Sequence, residues 1–174
     1  WHGSSGLGLE HIKGSRALFQ RYVHRKAGEA NLPDWKKLNF YLGLQAYWET
    51  VASFLLDQDP ECLDYLHNAC TGMPSNAIYV HPWTGISSTL WVLLAKAGCL
   101  SRRKRTCLSK RGQEKLNMND AFDIQELEQQ AITLKEQLLS YVTPEVSRAE
   151  NTRTNKPQFF IWKALLVVAG WQHF

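Results

Sequence analysis

No run of apolar residues in this chain is long enough to cross a bilayer. The most apolar stretch, Gln158 to Phe174, is interrupted by Lys163 and falls short of the roughly 20 residues a spanning helix needs. Cysteine is scarce. Cys62, Cys70, Cys99 and Cys107 form two pairs with seven residues between partners, whereas zinc ribbons and fingers separate paired ligands by about two to four. No signal peptide is evident, and a chain of this length can bury a core without staples. Four reduced thiols in an intracellular protein are therefore predicted. The six histidines never fall three or four residues apart, so no one helix offers two imidazoles to a metal.

Catalytic patterns are also lacking. Ser87 and Ser88 lie in GISST, which has no second glycine for a Gly-x-Ser-x-Gly nucleophile elbow. Gly6-Leu7-Gly8 has no third glycine at dinucleotide spacing. Asp57, Asp59, Glu61 and Asp64 do not follow a calcium-loop pattern, and helix capping accounts for Asp59 and Glu61. No nucleophile, acid–base pair or phosphate loop emerges, so an enzyme is not expected. A net charge of +4 is too small for a histone-like nucleic-acid binder.

What is present is a composition for burial: 44% hydrophobic residues and seven tryptophans among 174. Leu9, Ile12, Phe19, Tyr22 and Val23 recur at helical spacing and predict an amphipathic helix ending near Gly28. Asn31 to Asp34 reads as a turn. A second helix is predicted over about Trp35–Leu56, with Trp35, Leu38, Tyr41, Leu44, Trp48, Val51 and Leu55 along one buried face.

Asp59-Pro60 predicts a helix start, with an acidic cap before proline, and a short helix to about Ala69. A loop follows around Gly72 to Asn76. Pro82, Thr84, Gly85 and Ser87 lead into a helix whose apolar body is Leu90–Leu100. Gly98 inside it weakens the helix by about 1 kcal/mol relative to alanine, for which close approach of a neighbouring helix is a reason.

Residues 101–119 are predicted to be an exposed polar connection. A helix capped by Asp120 then carries Ile124, Leu127, Ala131, Leu134, Leu138 and Tyr141 in one stripe and stops at Pro144. Loop composition at 147–156 precedes a buried terminal helix after Pro157, with a strand through Leu165–Val168 as the alternative. The pattern is all-α, a bundle of five to six helices in one unit.

Two segments are more specific than any spacing. HPWTGISSTLWVLLAKAGCLSRRKR, from His81 to Arg105, joins a turn, an apolar helix and a basic cluster. FYLGLQAYWETVASFLL, from Phe40 to Leu56, precedes it. In order and spacing they resemble the fungal-specific transcription factor domain, the helical regulatory region of fungal zinc-cluster transcription factors. Pro82, Gly85, Leu93, Leu94, Leu100, Arg102 and Arg105 carry the match. ALFQRYV and LEQQAITLKEQLLSY, starting at Ala17 and Leu127, extend it.

The resemblance implies an N-terminal portion of a larger helical regulatory domain, family-like over 1–145 and divergent over 146–174. It implies transcription regulation in the nucleus through contacts with co-regulators or the transcriptional machinery. The six-cysteine zinc cluster of such proteins is absent here, so zinc and sequence-specific DNA binding are expected only through a module elsewhere in a parent chain. A start at Trp1 agrees with that expectation. A small hydrophobic effector is a further expected ligand, with Trp48, Trp83 and Trp91 as pocket walls; ordinary core packing is the other reading of those tryptophans.

Residues 1–87 carry 7 basic and 8 acidic side chains, residues 88–174 carry 13 and 8. Much of that excess is the run Arg102, Arg103, Lys104, Arg105, Lys110 and Arg111. It reads as a solvated helix end, a nuclear import signal or a phosphate contact. The rival to the regulatory reading is a stand-alone helical interaction or nucleic-acid-binding module using residues 101–111.

Overall fold

The computed structural model describes residues 5–27, 35–72, 81–111 and 118–141. They form five α-helices: α1 (Ser5–Ala27), α2 (Trp35–Leu55), α3 (Asp64–Thr71), α4 (Ser88–Arg111) and α5 (Met118–Leu139). A 3₁₀ turn, Pro60–Leu63, leads into α3. No strand occurs among the described residues, which are all-α as their periodicity predicts. The turn expected at Asn31–Asp34, the loop at Gly72–Asn76 beyond Gly72, and the terminal helix after Pro157 lie outside the described residues.

α4 is the spine, packed on α2, α5 and α3. Leu90, Val92, Cys99 and Leu100 on it are almost wholly buried, and Leu42, Leu63, Leu66 and Leu138 reach it from other elements. Each buried aliphatic side chain contributes about 1.5–3 kcal/mol. In α1, Phe19 is buried with Ile12, Tyr22 and Val23 half-buried beside it. In α5, Leu127, Ala131, Leu134 and Leu138 face inward. Both helices present the stripes expected of them over these residues, and the side chain of Leu9 lies outside the described ones.

α2 does not. The face expected to be buried, along Tyr41, Leu44, Trp48, Val51 and Leu55, points outward or lies half-buried, and the core receives Leu38, Leu42, Ala46, Glu49, Thr50 and Ser53. The cause is the distance at which α2 and α4 cross. A Cβ on Gly98 of α4 would lie 2.1 Å from the Ser53 hydroxyl oxygen. The Thr50 hydroxyl lies 2.8 Å from the Ala46 carbonyl oxygen and 2.9 Å from that of Trp91 on α4, its one proton shared between them. Backbones this close admit small and hydroxyl side chains and exclude indoles. The approach anticipated at Gly98 is thus present, and the side chains of Trp48 and Leu55 lie on the exposed side of α2.

α4 also runs further than its apolar body. It continues through residues 101–111, where a connection was expected. Arginine, lysine and leucine are good helix formers, no proline or glycine intervenes, and Lys104 is only 8% exposed. Asp59 corrects a smaller expectation: it precedes the 3₁₀ turn but makes no side-chain cap bond, and its carboxylate meets Arg103 at 2.5 Å instead.

Candidate functional site

The turn before α4 is built around a buried histidine. The His81 amide donates to the Ile86 carbonyl (3.0 Å), and the Gly85 amide returns to the His81 carbonyl (2.8 Å). Gly85 adopts φ 71°, a conformation that glycine takes without a Cβ clash. Ring nitrogen Nδ1 of His81 accepts from the Thr84 amide (3.2 Å). That leaves the proton on Nε2, which donates to the Phe40 carbonyl on α2 (3.0 Å). Burial lowers the His81 pKa, and the Phe40 bond offsets this in part. The ring stacks on Phe40 with centroids 5.1 Å apart and fits against Gly43, where a Cβ would come within 2.3 Å of it.

Ser87 then caps α4, its hydroxyl accepting from the Leu90 amide (3.3 Å). The same hydroxyl meets the phenol of Tyr141. One turn thereby fixes α2, the start of α4 and the end of α5.

Trp83 projects from this turn. It meets Tyr47 edge-on at 5.7 Å, as do Trp48 at 5.6 Å and Trp91 at 5.2 Å. The three tryptophans singled out in the sequence are therefore brought together around Tyr47. Trp91 is buried beneath it, while Trp48 is 53% and Trp83 62% exposed. The result is an aromatic platform in which Trp48 and Trp83 are open to solvent and Trp91 is the packed floor.

The first four members of the basic run are not gathered on one face. Four consecutive helical residues are spread around the whole circumference, about 100° apart. Arg102 donates to the carbonyl of Phe54 at the end of α2 (3.1 Å), Arg103 meets Asp59, Lys104 is buried and Arg105 is exposed. The side chains of Lys110 and Arg111 lie outside the described residues.

A polar cluster went unnoticed in the sequence. Arg16 of α1 holds Glu49 of α2 through two bonds (2.6 and 2.7 Å) and donates to Gln58 (2.6 Å). Tyr65 of α3 donates to Glu49 (2.8 Å), and Gln45 bridges Ser15, Glu49 and Tyr65. Glu49 is wholly buried. The Glu49 bond raises the Arg16 pKa against the opposing effect of burial. Burial, then the Glu49 charge, push the Tyr65 phenol up. The signal available was a glutamate four residues after a glutamine inside an apolar segment.

Burial likewise pushes the thiols of Cys70 and Cys99 up to about 11 and about 12, so neither is a thiolate nucleophile near neutrality. Among the described residues no three His, Cys, Asp or Glu side chains converge on a metal position. No described helix is long and apolar enough to cross a membrane.

The described geometry thus offers an exposed aromatic platform on a helical frame. A family model described as the fungal specific transcription factor domain matches residues 1–168. The chain belongs to that family. No curated protein and no solved structure matches it. Membership places the chain among transcription regulators, a family not known for enzymatic activity. In this fungal transcription factor domain, the His81–Arg105 segment supplies the turn that locks three helices and the spine they pack on.

Proposed function

We propose that this chain is the regulatory, non-DNA-reading part of a fungal zinc-cluster transcription factor. It acts in the nucleus by binding co-regulators or the transcriptional machinery through the Tyr47–Trp48–Trp83 platform. The observation carrying this reading is a pair of half-exposed indoles, Trp83 on the buried turn and Trp48 on α2, both against Tyr47, on a domain of this family. Tryptophans dominate the binding energy of many protein interfaces, and a rigid one loses little entropy on contact. A small hydrophobic effector would meet the same three indoles, with Trp91 as the floor. Zinc and DNA binding belong to a cluster elsewhere in a parent protein.

The test joins the whole chain to an unrelated DNA-binding module and measures a reporter gene. Trp48→Ala together with Trp83→Ala should move the output several-fold toward that of the DNA-binding module alone, with helicity unchanged. Unaltered output would remove the platform from the mechanism. The dispersal of Arg102, Arg103, Lys104 and Arg105 around α4 gives phosphate binding by residues 101–111 no support. Association with duplex DNA that weakened steeply with salt would restore that rival.

A further inference from the structure

The outward half of α2 carries a seam of apolar side chains. Tyr41, Leu44, Trp48, Val51 and Leu55 follow one another at steps of three, four, three and four, the spacing at which one helix meets another along its length. Tyr41, Trp48 and Leu55 are exposed, and Leu44 and Val51 are half-buried. Phe40, Phe54 and Trp83 flank the seam and are exposed too. Phe40, Tyr41, Trp48, Phe54, Leu55 and Trp83 are each roughly half open, which at about 150–250 Å² for a large side chain leaves about 600 Å² of apolar surface. That is the upper end of what a monomer usually leaves open, and it approaches the roughly 800 Å² that each partner gives to a stable interface.

Two features identify what the seam fits. It is nearly symmetric about Trp48. Tyr41 and Leu55 lie seven residues to either side, and Leu44 and Val51 lie four and three residues away. Laid antiparallel on a copy of itself, the seam sets Tyr41 against Leu55 and Leu44 against Val51, larger against smaller. Its two ends also differ in charge. Lys36 and Lys37 stand at the amino end, Asp57 and Glu61 just past the carboxyl end, all exposed. Asp59, between those two carboxylates, is engaged by Arg103. The helix dipole adds the same sign at each end. An antiparallel copy brings basic onto acidic at both ends, whereas a parallel copy sets lysine on lysine. Exposed ion pairs contribute little affinity, so the apolar seam holds the contact and the charges set its direction.

We propose that two copies of the chain pair antiparallel along this seam, about a two-fold axis at Trp48. The pairing does not rest on the co-regulator reading, although a second copy and a co-regulator would compete for Trp48.

Sedimentation equilibrium of the full chain tests it. The parent chain should dimerise, and Trp48→Asp, at an exposed position, should weaken the dimer about tenfold or more at unchanged helicity. Charge reversal reads the direction. Lys36→Glu with Lys37→Glu places like charges together at both ends of the pair, and so does Asp57→Lys with Glu61→Lys. Each should weaken self-association several-fold, and an equal mixture of the two should recover a dimer holding one copy of each. A parent chain still monomeric at about 100 μM overturns the proposal and leaves the face to a different protein, because interfaces near this size hold with dissociation constants of about 1 μM or below. A dimer indifferent to Trp48→Asp forms elsewhere and overturns it too. Charge variants that pair as the parent does, with no gain on mixing, overturn the antiparallel arrangement. Sedimentation contains no co-regulator and the reporter gene depends on one, so either reading can fail alone.

Discussion

Gly14 and Gly43 both lie inside helices, yet alanine at each should have opposite effects. Nothing lies within 4 Å of a Cβ at Gly14. Alanine there removes unfolded-state freedom at no steric cost, for a gain of about 0.4–1 kcal/mol. At Gly43 the new Cβ would come within 2.3 Å of the His81 ring. That ring cannot step aside without losing the Phe40 carbonyl or the Thr84 amide. Overpacking of about 1–3 kcal/mol then outweighs the helical gain of about 1 kcal/mol. Urea unfolding of Gly14→Ala and Gly43→Ala should move the midpoint up in the first and down in the second. His81 adds a pH dependence. Its folded pKa lies below its ordinary value, so the unfolded chain binds the extra proton first. Its contribution is complete above about pH 6.5 and declines as pH falls below that toward the folded pKa. His81→Gln should therefore show a smaller loss of stability between pH 7.5 and 5 than the parent chain, measured by denaturant midpoint.

Among the elements, α1 is joined to the bundle through few contacts, and the Arg16–Glu49 pair is the strongest of them. Arg16→Met leaves a wholly buried carboxylate with no cation, a loss of about 3–5 kcal/mol for a pair broken on one side. Arg16→Met with Glu49→Leu removes both charges and should recover most of that loss. Thermal unfolding followed by circular dichroism distinguishes the cases; equal losses in single and double variants would show that the charges do not act as a pair. The elements also show what a sequence reveals. α1 and α5 have one apolar stripe each, so periodicity identified their inward faces. α2 has apolar residues on both halves, and periodicity has no sign there. The decision was made by Gly98 and Ser53, two small residues on different helices, whose juxtaposition is a tertiary fact. The Trp48, Trp83 and Trp91 grouping was legible as a set, but its openness was not, because it follows from which half of α2 faces inward. The helical course of residues 101–111 is legible in their propensities, but their density of charge is equally that of an exposed connection.

For the molecule as a whole, the arrangement around α4 bears on cooperativity. Cys99 lies in the middle of α4 and Cys70 at the end of α3, and both belong to one core cluster that includes residues of every described helix. Burial holds both thiols protonated near neutral pH, and alkylation requires the exposed thiolate. Each should therefore label with iodoacetamide only when the core opens. If α4 is the common spine, the labelling of Cys70 and Cys99 should rise at one urea concentration, coincident with the loss of helical dichroism, as a two-state unit requires. Labelling of Cys70 at distinctly lower urea would instead make the 3₁₀ turn and α3 a separate opening unit. In that case the Lys96–Asp64 contact between α4 and α3, at 3.0 Å and largely exposed on its acidic side, would be too weak to hold them together.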